Sequence, residues 1–224
     1  MSTHFGSKDG ILIRIMKLED YENLKVFMGG NFYNGEPLCA FSGEDVQQCC
    51  EKEDNDYHIS MIEQGTSLLA INENDGGRIV GFVLAGSQLS SDLEKHRKEA
   101  DEMEKHSWGR IAVFLSEVER KVNIFERYGV SKLLYSHMTN VDASMRGKGL
   151  GTRLAAALME LGRSKGFPLM AAYCTSFYSA RQKESMGMEC IYEHAYADYK
   201  DAEGQVVFNP PAPHTHVRVL VISL

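Results

Sequence analysis

Val141-Asp-Ala-Ser-Met-Arg-Gly-Lys-Gly-Leu-Gly-Thr-Arg-Leu154 decides how the rest of the chain is read. The residues leading into it, Leu133 to Val141, are mostly apolar and predict a strand. After it, Leu150, Leu154, Leu158 and Leu161 recur at three- and four-residue spacing up to Gly166 and predict an amphipathic helix. Between the two lie three glycines (Gly147, Gly149, Gly151) and three cations (Arg146, Lys148, Arg153). A helix N-terminus carries partial positive charge and unpaired N–H groups, so its first turn ordinarily favours Asp or Glu. No acid occurs here from Ser144 to Met159. Cations stacked on a positive helix end cost energy unless an anion sits among them, and glycines let backbone N–H groups approach such an anion closely. Glycines alone could serve close packing, but that accounts neither for the cations nor for the missing acids. The stretch reads as a seat for a phosphate or diphosphate.

The order of residues narrows the ligand. A P-loop requires Gly-x-x-x-x-Gly-Lys-Ser/Thr, and a dinucleotide fingerprint requires Gly-x-Gly-x-x-Gly; Gly147-x-Gly149-x-Gly151 fits neither. Arg146-x-x-Gly149-x-Gly151, between a strand and an amphipathic helix, resembles the acetyl-CoA signature of the GNAT acetyltransferase superfamily, Arg/Gln-x-x-Gly-x-Gly/Ala. The resemblance implies an α/β GNAT fold: a mixed central sheet splayed at the acetyl-CoA site, between about 131–141 and 167–175.

Composition is compatible with this. The 224 residues suit one domain over 1–224, and 43% hydrophobic with 25% charged residues is ordinary for a globular protein. No apolar run approaches the ~20 residues that span a bilayer, and the first ten residues lack a signal core. Five cysteines (Cys39, Cys49, Cys50, Cys174, Cys190), odd in number and without a C-x-x-C pair, read as free thiols of a reducing, cytoplasmic setting. A net charge of −7 argues against nucleic acid as a partner and is compatible with a cationic substrate. Oligomeric state is not legible.

In chain order, Ile11–Met16 predicts a strand and Glu19 to about Met28 a helix ended by Gly29-Gly30. Asn31-Phe-Tyr-Asn-Gly-Glu-Pro-Leu38 predicts a loop holding one carboxylate, Glu36, before a proline. A second helix is predicted from Glu44 to about Gln64, interrupted near Asp54-Asn55. Ser67–Asn72 and Arg78–Ala85 predict a hairpin across Glu73-Asn-Asp-Gly-Gly77. A helical insert over about 88–129, between the third and fourth predicted strands, opens with Ser91-x-x-Glu94 as a capping box and is long enough to form a lid or wall. Pro168–Thr175 predicts a buried strand, Ser176–Ser185 a short helix, and Glu189–Tyr199 and His216–Leu224 two more strands.

The loop Asn31–Leu38, the helical insert and Cys174-Thr-Ser-Phe-Tyr-Ser-Ala-Arg181 together resemble the insect-type arylalkylamine N-acetyltransferases, which include dopamine N-acetyltransferases. The resemblance implies direct transfer of acetyl from acetyl-CoA, with no metal, to a small-molecule amine, with no nucleic-acid or membrane partner. It implies Glu36 as general base, directly or through water. The diphosphate is expected on the backbone of Arg146, Gly147, Lys148, Gly149, Leu150, Gly151 and Thr152, and the pantetheine amides on Thr139, Asn140 and Val141, with a Val141 N–H facing the oxyanion. The family's Asn-x-x-Ala-x-x-x-Tyr helix, counted back from Gly187-Met188, places Ser176, Ser179 and Lys183 at its asparagine, alanine and tyrosine positions. The usual thiolate acid is therefore missing. Ser179 is the preferred replacement, in a helix where the insect enzymes use serines spaced like Thr175 and Ser179; Ser176 is a further candidate for catalysis and for coenzyme binding, Tyr178 is an alternative, and helix capping is the competing role for both serines. His214 and His216 are read as sharing one strand face, as metal ligands or pocket residues. A thiol–acyl intermediate on Cys174 has no supporting His or Asn. A non-catalytic CoA-binding regulator and a protein or peptide N-acetyltransferase are the competing functional readings.

Overall fold

The computed structural model describes residues 4–40, 51–102 and 107–224. Eight strands among the described residues form one sheet: β1 (His4–Lys8), β2 (Ile11–Ile15), β3 (Leu68–Asn72), β4 (Arg78–Leu89), β5 (Lys132–Val141), β6 (Leu169–Cys174), β7 (Glu189–Ala195) and β8 (His216–Ser223). Their order is β1-β2-β3-β4-β5-β6-β8-β7, antiparallel throughout except for the parallel β5–β6 pair. The α/β mixed sheet expected from the sequence is present. Strand β1 was not legible: His-Phe-Gly-Ser-Lys lacks an apolar alternation and pairs as an edge strand on β2. The insert therefore follows the fourth strand of the full count, the third of the sequence reading.

Helices cover both faces. On one lie α1 (Tyr21–Asn31), α2 (Pro37–Ala40), α3 (Glu51–Glu63) and the insert, which is α4 (Asp92–Glu102), α5 (Ser107–Val122) and α6 (Ile124–Tyr128). Leu24, Phe27, Phe82, Phe114, Ile124 and Tyr135 are among the buried side chains of that layer. On the other face α7 (Leu150–Ser164) lays Leu150, Leu154, Leu158 and Leu161 against Ile13, Val80, Leu134 and Leu220. Each of these leucines, 3% exposed or less, contributes about 2 kcal/mol of burial. The short helix α8 (Phe177–Glu184) packs beside α7, its Gln182 Nε2 donating to the Gly151 carbonyl at 2.9 Å.

Several boundaries differ from the sequence reading. The Asn31–Leu38 segment is not wholly a loop: α1 runs through Asn31, and Pro37, whose missing N–H costs nothing at a helix start, opens α2. Helix α3 runs unbroken through Asp54 and Asn55; the predicted start at Glu44 lies outside the described residues. Strand β4 continues past Ala85 to Leu89, so residues 88 and 89 are strand, and Asp92, the first residue of α4, accepts the Leu89 N–H at 2.7 Å, tying the insert's start to the strand end. Strand β7 ends at Ala195, where Tyr196–Asp198 turns in a 3₁₀ helix. No described residue of the insert lines the cavity discussed below; Phe114 instead packs on Tyr199 and Phe208, so the insert walls the core and not the site.

Candidate active site

Strands β5 and β6 pair only at Leu134–Met170 and Tyr135–Ala171. Beyond these two rungs they part, and a cavity of about 850 Å³ opens between Ser136–Val141 on one side and Ala172–Ser176 on the other. A bulge accompanies the opening: Leu84 pairs with Met138 and Ala85 with Ser136, leaving His137 unopposed. The splay expected from the sequence lies at the expected strands.

At one end of the cavity stand Met145, Arg146, Gly147, Gly149, Leu150, Gly151 and Thr152. Gly147 and Gly149 adopt φ of +72° and +75°, a left-handed backbone that side chains disfavour, and Gly149 caps α7 without any side-chain acceptor. Gly151 has no such requirement; a Cβ there would meet only ordinary contacts at 3.8 and 3.9 Å. The first turn of α7 holds no acid. Its three cations are used differently. Arg153 donates to the carbonyls of Lys8 and Ile11 and fastens the β1–β2 hairpin. Arg146 lies on the cavity wall with Nε on the Val141 carbonyl at 3.3 Å. Lys148 is exposed beside the cavity without lining it. Thr139, Asn140 and Val141 do line it, and Asn140 Oδ1 is buried without a partner.

Glu36 lines the same cavity. Its backbone N–H is fixed on the Phe32 carbonyl at 2.8 Å, at the exit of α1. Its Oε2 accepts the Cys39 N–H at 2.7 Å, capping α2, and its Oε1 accepts the Thr175 hydroxyl at 2.6 Å. Thr175 directly follows β6 and is held in turn, its carbonyl accepting the Tyr196 hydroxyl at 2.7 Å. Burial, then the nearby Glu36 charge, pushes the Tyr196 phenol far above its ordinary range, so it remains a donor. One of the carboxylate's two bonds thus stays within the α1–α2 segment and the other links that segment to the far half of the sheet. Thr175 and Tyr196 were not among the predicted site residues; the signal for Thr175 was its spacing from Ser179, which resembles the serine pair of the insect enzymes.

The serines divide. Ser176 Oγ accepts the Tyr178 N–H at 3.3 Å as N-cap of α8, and its own hydrogen has no acceptor among the described residues. Ser179 donates to the Ser176 carbonyl at 2.9 Å, the backbone role weighed against catalysis. Both line the cavity, as do Tyr178, Lys183 and Cys174. His214 and His216 do not share a strand face: β8 starts at His216, and His214 precedes it, its Nδ1 accepting the Phe177 N–H at 3.2 Å. His214 lines the cavity and His216 does not. No group of three or more His, Cys, Asp or Glu among the described residues is placed to hold a metal. Cys39, Cys174 and Cys190 are free thiols; Cys49 and Cys50 lie outside the described residues. No helix among the described residues is long and apolar enough to cross a membrane.

A polar cluster lies behind the cavity. The ring of His137 stands 5.1 Å from that of Tyr57 and 5.9 Å from that of His58, and its Nδ1 is 3.4 Å from the Tyr135 hydroxyl. His58 Nδ1 lies 3.2 Å from the Tyr21 hydroxyl, which donates to Asn55 Oδ1. Burial lowers His58 to about 4 and, with the neighbouring histidines, His137 to about 3. His96, paired with buried Glu119 at 3.0 Å, is raised: burial opposes its charge, but the carboxylate outweighs it. Gln88 donates to the other Glu119 oxygen at 2.9 Å.

Comparison with known proteins agrees with this geometry. Residues 33–182 match the family model described as acetyltransferase (GNAT) family. The structure of an agmatine N-acetyltransferase (mutant S171A, apo form) is similar, with 34% identity and a TM-score of 0.87 over 96% of this chain and 100% of that one. The Drosophila melanogaster polyamine N-acetyltransferase, described as forming N-acetylagmatine, gives 34% identity and a TM-score of 0.85 over 96% of this chain and 100% of that one. A mosquito arylalkylamine N-acetyltransferase-like protein, 5b, gives 29% and 0.84 over the same shares. The matched segment spans the Glu36 turn, the glycine turn and most of α8, and on it the chain is a member of the GNAT acetyltransferase family.

Proposed function

We propose that this chain is an acetyl-CoA-dependent N-acetyltransferase acting on the primary amine of a small arylalkylamine or related amine, by direct transfer in a ternary complex. The observation that carries the reading is one cavity lined both by an acid-free glycine turn and by a doubly bonded carboxylate, Glu36. The walls fit a coenzyme A thioester. Gly151, which the protein's own packing does not demand, leaves room for close approach, and the unpartnered Asn140 Oδ1 is an acceptor for a ligand N–H.

The N–H groups of residues 146–152 hold the diphosphate, and Arg146 and Lys148 add charge. Thr139 to Val141, left unpaired toward β6 where the strands part, face the amides of the pantetheine arm, and a Val141 N–H meets the oxyanion. Glu36 takes the proton of the attacking ammonium, directly or through ordered water; Thr175 keeps its carboxylate aimed at the cavity. Ser179 and Ser176 line the wall where the thiol departs, and of the two only the Ser176 hydroxyl hydrogen has no acceptor among the described residues. Family membership and the similarity to enzymes named for agmatine, polyamines and arylalkylamines support amines over peptides as acceptors. A thiol-release assay with acetyl-CoA over agmatine, polyamines, tyramine, dopamine and serotonin tests the reading. Turnover on at least one is expected; CoA binding without turnover on any of them would establish the non-catalytic regulator instead.

A further inference from the structure

No described residue of the helical insert lines the cavity, yet the insert packs on both supports of the Glu36 carboxylate. Helix α2, whose Cys39 N–H holds Oε2, lies against α5 of the insert, and Leu38, Cys39, Phe114 and Val118 are buried in one cluster. The second support is Thr175, on Oε1, and behind it Tyr196. The Tyr196 ring, 2% exposed, stands 6.0 Å from that of Phe114 and 6.3 Å from that of Phe208. Phe114 and Phe208 are themselves 5.3 Å apart, and the Tyr196 N–H is fixed on the Thr215 carbonyl at 3.0 Å. Ring and backbone are both committed, so packing aims the hydroxyl.

That hydroxyl replaces a missing rung. Thr175 lies past the pairing of its strand: the last rung to β8 is Cys174–Arg218, and the last to β5 is Tyr135–Ala171. Beyond them the Thr175 peptide is held by the 2.7 Å bond that its carbonyl accepts from Tyr196. The Thr175 side chain follows its peptide, and its hydroxyl donates to Glu36 at 2.6 Å. A carboxylate oxygen accepts two hydrogen bonds, so Oε1 and Oε2 each keep capacity for a second donor while Thr175 and Cys39 fix their plane. Tyr196 does not line the cavity and its hydrogen is committed, so it neither touches a substrate nor delivers a proton. Burial, then the Glu36 charge, holds the phenol protonated and keeps it a donor.

Resting on the reading of Glu36 as base, we propose that Tyr196 is a positioning residue for it. The insert, through Phe114, sets the Tyr196 ring; the Tyr196 hydroxyl sets Thr175, and Thr175 sets the carboxylate. A base displaced by about 1 Å costs on the order of 100-fold in rate, so a group outside the cavity can govern the chemistry within it. A core tyrosine that only satisfies its own hydroxyl has no such reach. The two roles differ measurably, because a positioning effect must pass through the Thr175–Glu36 bond.

The test begins with Y196F, which removes the hydroxyl and leaves the ring. On the amine turned over best, kcat should fall about 3- to 10-fold, the loss expected of one neutral hydrogen bond, with KM for acetyl-CoA unchanged. The deciding measurement is the cycle with T175V, which has already lost the bond to Glu36: Y196F/T175V should be no slower than T175V. F114L keeps the test open if Y196F folds poorly; it should slow the wild type severalfold and E36Q not at all. Rates are referred to the active fraction, counted by calorimetry with coenzyme A. A loss that multiplies in either double variant overturns the proposal, as does a wild-type rate in Y196F. Full activity in E36Q would overturn the base reading itself, an outcome separate from either cycle.

Discussion

Acidification should unfold this protein through two histidines. His58 is 1% exposed, and burial holds it near 4; His137, with Nε2 buried, is held near 3. Both folded-state values lie below the ordinary 6.5, so the stability they contribute is fully present above about pH 6.5 and is lost as pH falls below it. At about pH 5 an unfolded histidine is already protonated over 1.5 units of its titration, at 1.36 kcal/mol per unit, so each site loses roughly 2 kcal/mol. Together they remove about 4 kcal/mol from a total that for such domains is about 5–15 kcal/mol. His96 works in the opposite sense: its raised value adds stability below about 6.5 that is lost as pH rises through the folded value, so it trims the acid loss without cancelling it. For a chain of this size about 4 kcal/mol corresponds to a fall in Tm of roughly 8–16 °C between about pH 7.5 and 5. Differential scanning fluorimetry and urea unfolding across that range measure it. The H58N/H137N double variant, less stable at neutral pH, should show a much flatter profile. A flat wild-type profile, or an equally steep one in the double variant, would refute the assignment.

Three further outcomes follow from the site and the core. Glu36→Gln should lower kcat/KM by roughly 100- to 10,000-fold while leaving coenzyme A affinity unchanged, as read by steady-state kinetics and calorimetry. Thr175→Val removes one bond to a charged group, about 1.5–3 kcal/mol, and should cost about tenfold to a hundredfold in kcat/KM, with Thr175→Ser retaining most activity. Gly162→Ala should destabilise by about 1–3 kcal/mol, because a Cβ there would meet Leu224 Cδ1 at 2.5 Å and Leu134 Cδ2 at 2.8 Å; an unchanged Tm would show that the C-terminal Leu224 yields freely.

The features legible in the sequence are those whose cause is local. The acid-free turn at 146–151, the leucine stripe of α7 and the apolar run of β6 each declare themselves by period or by an unusual absence. Glu36 was legible only by resemblance, since an acid before proline is commonly a turn residue; its bond to Thr175 joins residues 139 apart. Tyr196 and the His58–His137 cluster act through such distant partners and leave no periodic trace. The His214/His216 pairing failed because alternation assumes a strand, whereas the chain still turns through Pro211–His214 before β8 begins. Strand β1 was missed because an edge strand is specified by its neighbour's free backbone more than by its own side chains.

The two rungs between β5 and β6 are all that join the larger and smaller parts of the sheet by backbone pairing among the described residues. A reactant whose amides bond along Thr139 to Val141 would behave as a missing strand segment, completing the hydrogen-bond ladder that the polypeptide leaves open. Donor arrival would then stiffen the protein as well as supply it, and amide hydrogens on either bank of the cleft would exchange in step with how much of the donor is bound.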